Sequence, residues 1–284
     1  MKLWNWIVSF FKKEECIEKT EVITESLINK RSLHIGINDY PGQQNDLRGC
    51  VNDAKAWEAL LKQQGYQTSI LLDNNATYKN VIKEIRKLIG ASKKGDKAVI
   101  TFSGHGTNIR DISGDEEDQR DEALVLFDKL LIDDELRQLL NGFEKETKVT
   151  IISDSCHSGT VTRSFLDIMS EDDAPKPRYL PPEDDDEAFR VMSATIRKNL
   201  IVPEEGMNEV LITGCKSTEY SYDARINGVN MGAMSYYATQ ILKNDPTISY
   251  KNFYIKLREI LPCRRFPQTP QLEGSKENKE ESML

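Results

Sequence analysis

The sequence predicts an α/β protein, a mostly parallel central sheet with helices on both faces. Three observations carry this. From Arg31 onward, short β-branched apolar runs alternate with longer stretches of helical periodicity, the pattern of successive βαβ units. The chain has 284 residues, long enough to bury a substantial core. Its apolar fraction of 38% and charged fraction of 30% are those of a soluble protein, and no run approaches the ~20 apolar residues of a spanning helix.

In order, Leu33 to Ile37 reads as a buried strand that ends at Asn38-Asp39-Tyr40-Pro41-Gly42. Ala54, Trp57, Leu60 and Leu61 mark a helix closed by Gly65, and Ser69 to Leu72 is the second strand. Tyr78, Val81, Ile82, Ile85, Leu88 and Ile89 trace one helical face, with Gly90 placed to stop it. Lys97 to Phe102 and Lys148 to Ser153 are the third and fourth strands, and Val210 to Thr213 the fifth. Helices follow through Met234 to Leu242 and Tyr250 to Leu261. One domain is expected over residues 32–275.

Three segments stand apart. Residues 1–31 form a lead segment in which Trp4, Ile7, Val8 and Phe11 have helical spacing. Lys12-Lys13-Glu14-Glu15 follows in place of a cleavage site, so secretion is rejected. Docking on the domain is the plain expectation for this helix; contact of residues 3–11 with a membrane surface or a partner is the alternative. Residues 164–206 hold five of the ten prolines and the acidic runs Glu171-Asp172-Asp173 and Glu183 to Glu187, a solvated loop by composition. Residues 276–284 read as a disordered polar tail.

Net charge is −8 and the isoelectric point near 5.2, without a basic stripe, which argues against nucleic acid as a partner. The five cysteines, Cys16, Cys50, Cys156, Cys215 and Cys263, are odd in number and widely spaced. That excludes a zinc ribbon or disulfide framework and fits a reducing, cytoplasmic compartment. Only His34, His105 and His157 are available for acid–base work near neutral pH.

In an open parallel sheet, reactive groups gather where strands end in loops. The third strand runs into Ser103-Gly104-His105-Gly106, the fourth into Asp154-Ser155-Cys156-His157-Ser158-Gly159. A thiol of pKa ~8.5 is mostly unreactive at neutral pH, and a facing imidazole activates it. Glycines leave main-chain N–H groups free to meet an oxyanion. A buried, inert thiol is the plain alternative for Cys156. His157 diverges from its neighbour, so His105 is the better partner, and His34 falls inside a strand as a core histidine. A phosphatase loop fails because Arg163 lies one residue too far from Cys156, and Gly90 to Lys97 lacks the Lys-Ser/Thr of a phosphate loop.

These two segments resemble the catalytic signatures of the metacaspases, cysteine peptidases of the caspase-like clan. Gly49-Cys50-Val51-Asn52-Asp53, the acidic stretch Gly114 to Asp118 with Asp121-Glu122, and Ile132-Asp133-Asp134-Glu135 resemble further family segments. So do Gly232 to Tyr236 and Pro267 to Leu272. The chain looks like the compact prokaryotic kind. The resemblance implies a caspase-like fold and an endopeptidase acting through a Cys156/His105 dyad and an acyl-enzyme. It places the oxyanion at the N–H groups of Gly106 and Cys156, and the pocket for the residue before the cut at Cys50, Asp53, Ser103 and Asp154. Two carboxylates in a desolvated pocket favour a cation, so polypeptides cut after Arg or Lys are the expected substrates. Helix N-capping is the competing role for Asp53.

No cofactor is required for such chemistry. Calcium is a possible activator: the resemblance maps ligands to Asp121, Asp133 and Asp134, but the fourth position holds Arg163, with Asp167 as a substitute. Residues 111–122 carry seven carboxylates among twelve, without the spacing of an EF-hand. The loop 164–206, with Lys176, Arg178, Arg190, Arg197 and Lys198, is an expected self-processing site. Cutting at Lys12, Lys13 or Lys30 would release the lead segment. The rival reading is a catalytically silent caspase-like scaffold kept for binding. A monomer is expected, because Lys276 to Glu281 charges the last sheet edge.

Overall fold

The computed structural model describes residues 28–110, 120–156, 174–181 and 207–284. Six strands build the central sheet: β1 (Lys30–Gly36), β2 (Gln67–Leu72), β3 (Lys97–Ser103), β7 (Lys148–Asp154), β9 (Glu209–Thr213) and β12 (Gln271–Glu273). Their order is β12-β9-β7-β3-β1-β2, and every pairing is parallel except β12 with β9. The alternation seen in the sequence is thus the sheet itself. Each of the five expected strands forms.

Because successive side chains point to opposite faces, each strand feeds two cores. Ala98, Ile100 and Phe102 of β3 join Val81, Ile82 and Ile85 of α2 (Tyr78–Ala91). On the other face, Val99, Ile152, Val210 and Ile212 meet Trp57, Leu60 and Leu61 of α1 (Cys50–Gln63). They also pack on α4 (Ala233–Asn244) and α5 (Tyr250–Ile260). His34 lies on this face, fully buried, between Ser32 Oγ at 2.8 Å and Thr101 Oγ1 at 2.9 Å. Burial lowers its pKa to about 3, so it is the neutral core histidine expected.

Two small antiparallel sheets were not foreseen. One joins β4 (Gly106–Arg110), β5 (Arg120–Val125) and β6 (Leu130–Ile132), ahead of α3 (Asp133–Leu140). The other joins β8 (Lys176–Pro177), β10 (Tyr222–Ile226) and β11 (Val229–Gly232), its hairpin turning at Asn227-Gly228 with both residues at positive φ. Short and partly polar, these strands carry little periodic signal.

Three expectations need correction. The tail is ordered: α6 spans Lys276–Glu280, and beyond it Met283 and Leu284 are buried in the core. Its polar residues face solvent, while two apolar residues at the end anchor it. Lys97 Nζ donates to Leu284 O at 2.8 Å, and Met283 N to Ile248 O at 3.0 Å. Lys30 pairs inside β1, so it is no exposed cut point. The loop 164–206 is not wholly a solvated surface, since residues 174–181 cross the body of the protein. Residues 1–27, with Lys12 and Lys13, lie outside the described residues.

Deleting residues 282–284 is expected to cost about 3–5 kcal/mol of unfolding free energy, the worth of two buried apolar side chains. Denaturant titration of the truncated and full chains checks this; a frayed tail would leave the midpoint unchanged.

Candidate active site

Strands β3 and β7 pair in register with Ser103 opposite Asp154. His105 and Cys156 each follow their strand by two residues, so the pairing brings them to the same end of the sheet. His105 is 2% exposed and Cys156 is fully buried. The imidazole Nε2 lies 2.6 Å from the carbonyl oxygen of Asn45. A carbonyl can only accept, so Nε2 carries the hydrogen and Nδ1 keeps its lone pair. Among the described residues, Nδ1 is buried without a partner. Burial, together with Lys176 and Arg178 nearby, lowers the His105 pKa to about 4 against the hydrogen bond to Asn45. This is a neutral imidazole with its basic nitrogen inward.

Tyr40 fixes the histidine from behind. Its hydroxyl accepts the His105 N–H at 2.9 Å and donates to Val125 O at 3.1 Å, and the two rings lie 4.8 Å apart. The Cys156 Sγ accepts the N–H of Ser221 at 2.8 Å and lies 3.2 Å from the Ser221 carbonyl. Cys215 is its neighbour. The Cys156 side chain and burial push the Cys215 thiol up, which leaves it protonated.

Between these groups runs a stretch of the chain's own backbone. Lys176 and Pro177 pair antiparallel with Asp223 and Tyr222 of β10. Arg178 N donates to Ser221 O at 2.9 Å, and Leu180 N to Gly106 O at 3.0 Å. The Arg178 carbonyl accepts two hydrogen bonds, from Gly106 N at 2.9 Å and Cys156 N at 3.1 Å. Those are the two N–H groups that the resemblance assigns to an oxyanion.

The Arg178 side chain is fully buried. Its Nη2 lies 2.6 Å from Asp53 and 3.1 Å from Asp223, its Nη1 3.3 Å from Asp154 Oδ2 and 3.0 Å from the Asp154 carbonyl. Backbone N–H groups offset the excess negative charge: Gly232 donates to Asp53 at 3.0 Å, Ser235 to Asp154 at 2.9 Å, and Arg48 and Gly49 to Asp223 at 2.7 and 3.2 Å. Burial still pushes the Asp53 carboxyl up to about 7 against the pull of Arg178, with Asp154 and Asp223 adding to the rise. Gly232 is a packing requirement, since a Cβ there would collide with Asp154 and the Arg178 guanidinium.

Of the expected pocket, Asp53 and Asp154 touch the guanidinium. Cys50, fully buried, lies within electrostatic reach of it. Ser103 is buried at the paired strand end and makes no contact with Arg178 among those described. Asp53 is not the N-cap of α1. Gly49 holds that position, and the Asp53 N–H already donates to Gly49 O at 2.9 Å. Its side chain is therefore free to face the pocket.

Asp223, Ser221, Gly232 and Asn45 were missed as site residues. Asp223 reaches the pocket only through the β10 pairing. The Ser221 hydroxyl donates to Asp154, and Gln268 Nε2 braces it at 3.3 Å while donating to Gly214 O at 2.8 Å. Arg178 was one of five basic residues in its loop. Its distinguishing signal was the basic, proline-bearing run Pro175-Lys176-Pro177-Arg178 inside an acidic segment.

The calcium residues are only partly visible. Asp133 and Asp134 open α3, and burial and Asp134 push the Asp133 carboxyl up to about 7. Its side chain is 36% exposed and lies 3.9 Å from Arg137. The Asp121 side chain, residues 111–119, Arg163 and Asp167 lie outside the described residues, as does His157. Among the described residues no three ligating side chains gather, short of the about six to eight oxygens calcium takes.

The caspase domain model matches residues 29–280. The chain belongs to the caspase domain family of cysteine peptidases. Metacaspase-1 of Yarrowia lipolytica is 30% identical over 87% of this chain and 61% of its own length. Metacaspase-1A of Aspergillus terreus is 30% identical over 87% of this chain and 70% of its own. The chain thus spans about three fifths to seven tenths of the length of such relatives. A crystal structure of a protein from Geobacter sulfurreducens superposes with a TM-score of 0.72 at 29% identity, covering 89% of this chain and 98% of that one. The metacaspase resemblance and the caspase-like fold are thereby borne out. No described helix is long and apolar enough to cross a membrane.

Replacing Arg178 by Ala leaves three buried carboxylates without their cation, and is expected to cost about 3–5 kcal/mol at neutral pH. Without the guanidinium, the Asp53 carboxyl loses the pull that holds it down and titrates further above its unfolded value. The deficit should therefore shrink as pH falls from 8 toward 6 and protons replace the missing charge. Thermal melts of both proteins across that range check it.

Proposed function

We propose that this metacaspase-like chain is an endopeptidase that cuts after Arg or Lys, and that it processes itself at the Arg178–Tyr179 bond. One observation carries the proposal: the Arg178 carbonyl accepts from the N–H groups of Gly106 and Cys156 while its side chain fills a pocket of three carboxylates. A strand added to β10, with its carbonyl between two N–H groups beside a thiol and a neutral imidazole, is the arrangement of a bound substrate.

In the proposed reaction His105 Nδ1 takes the Cys156 proton as the sulfur attacks the Arg178 carbonyl carbon. The π electrons move onto oxygen, where the Gly106 and Cys156 N–H groups meet the growing charge. The imidazolium returns its proton to the Tyr179 nitrogen, the C–N bond breaks, and the chain from Tyr179 leaves. Water then adds to the thioester, losing a proton to His105, and the Arg178 carboxylate is released as the thiol reforms. The Asn45 carbonyl holds the tautomer throughout and stabilises the imidazolium by accepting from Nε2.

A second reading makes Arg178 a fixed wall that selects acidic substrates. Against it stands the position of its main chain: a wall residue would leave the N–H pair open for the substrate carbonyl. The silent scaffold is disfavoured by the inward lone pair of His105, which binding alone does not require.

Purified wild type is expected to yield a new amino terminus at Tyr179, and Cys156→Ala or His105→Ala to stay whole. Terminal sequencing checks this; intact wild type, with calcium or with chelator, overturns self-processing. On peptides, Arg or Lys before the cut should exceed Asp by about a thousandfold in kcat/KM, because a like charge buried against carboxylates costs several kcal/mol. Equal cutting after Asp would sink the basic preference.

With basic substrate in place His105 titrates at about 4. The acid limb of kcat should therefore lie near pH 4, well below the usual imidazole value of ~6.5, and a limb at 6.5 would rule out this buried neutral base.

A further inference from the structure

We propose that Cys215 is a resolving thiol for Cys156: a small hydroperoxide oxidises the Cys156 sulfur, and Cys215 captures it as a disulfide that a dithiol reverses. The disulfide does not depend on the peptidase reading; only its effect, arrest of that chemistry, rests on it.

Two adjoining strand ends carry the inference. β7 and β9 run parallel with Ser153 opposite Thr213, and Gly214 N donates to Ser153 O at 2.9 Å, which extends the pairing past β9. Cys156 and Cys215 follow directly, and both are buried. The turn after Cys215 then folds over both sulfurs. Cys215 Sγ lies 3.3 Å from Glu219 O and 3.7 Å from Ser155 O, the carbonyl just before Cys156. Cys156 Sγ meets the same segment two residues on, accepting the Ser221 N–H at 2.8 Å. Glu219 N to Lys216 O at 3.0 Å closes the turn, and the Glu219 carboxylate accepts from Thr269 N at 2.6 Å and Thr269 Oγ1 at 2.9 Å. The two thiols are hydrogen-bonded to each other. Adjacent strands lie about 4.8 Å apart, inside the separation of about 7 Å that a disulfide spans between Cα atoms.

The chemistry is a two-step oxidation. The strand at residues 176–180 occupies the cleft beside Cys156, so the oxidant assigned is hydrogen peroxide or a similarly small hydroperoxide. The Cys156 sulfur attacks one peroxide oxygen; the O–O bond breaks, an S–O bond forms, and the thiol proton joins the departing hydroxide as water. Cys156 has lost two electrons, and the peroxide has gained them. The Cys215 sulfur then attacks the Cys156 sulfur. The S–O bond breaks, an S–S bond forms, and the Cys215 proton leaves with hydroxide as a second water. Before oxidation, contact with Cys156 holds Cys215 protonated and quiet. A neutral sulfenic acid in place of that thiol lifts the restraint, so Cys215 becomes reactive when it is needed. Without it, Cys156 would advance to the sulfinic acid, which thiols do not reverse. Cys50 is also buried, but the charges around it are Arg178 and the pocket carboxylates.

The test treats full-length wild type and Cys215→Ala with excess hydrogen peroxide, removes the excess with catalase, and blocks free thiols with N-ethylmaleimide in denaturant. Digestion without reductant and mass spectrometry should find the Cys156 peptide joined to the Cys215 peptide in wild type. A second portion is reduced with dithiothreitol, and the released thiols are tagged with iodoacetamide. Wild-type Cys156 should take the tag in most molecules. In Cys215→Ala the tagging should fall about tenfold, with Cys156 carrying two or three added oxygens. Absence of the linked peptide, or Cys156 joined to another cysteine instead, overturns the proposal. Equal tagging in the two proteins overturns the resolving role. The linked peptide is read in wild type, so a variant that fails to fold leaves the test intact. If the linked peptide forms but self-cleavage at Arg178 does not occur, the peptidase reading is lost and the disulfide stands.

Discussion

The site is organised by the burial of one guanidinium among three carboxylates. A buried cation of this kind costs several kcal/mol to desolvate and is tolerated only where its partners and their remaining hydrogen bonds are in place. Here Asp53 comes from α1, Asp154 from the end of β7, and Asp223 from β10. The charge thus joins elements that are far apart in sequence. It also fixes the backbone of Arg178, whose carbonyl then has one position available, between the N–H groups of Gly106 and Cys156. Charge recognition and placement of the carbonyl are a single event.

Around that centre, glycines set what fits. Added carbon at Gly49 would collide with Asp223, and at Gly232 with Asp154 and Arg178. Gly36 brings β1 against the start of α1, where a Cβ would strike the Cys50 carbonyl and Ala54. That close approach sets the depth at which α1 presents Asp53. The pocket is therefore shaped by backbone proximity, and its charge is supplied by side chains that reach in over those glycines.

The histidine is governed by a separate device. Its proton position is imposed by an acceptor that cannot donate, the Asn45 carbonyl, and its ring by Tyr40. Both sit in the segment that follows β1, which the sequence marks only as a loop rich in Asn, Asp, Pro and Gly. Burial keeps the imidazole neutral, and the Lys176 and Arg178 cations deepen that effect. The basic segment in the cleft and a neutral imidazole are thereby mutually consistent in one enclosed site.

Much of this was legible in the sequence because its signals are local and periodic. The parallel strands announced themselves as β-branched runs, the helices by their apolar faces, and the His105 and Cys156 segments by glycines and small polar residues just past strand ends. The family resemblance places Asp53 and Asp154 in the pocket, and their charge then calls for a cation. By itself, the sequence determined the strand and helix alternation and the chemistry-bearing residues at two strand ends, since both depend on neighbours a few residues apart. Only the tertiary structure decided that Asp223 completes the pocket, that Asn45 holds the imidazole, that the polar tail ends in the core, and which of five basic residues lies in the cleft. Each of those depends on contacts between segments distant along the chain, and such contacts leave no period or spacing to read.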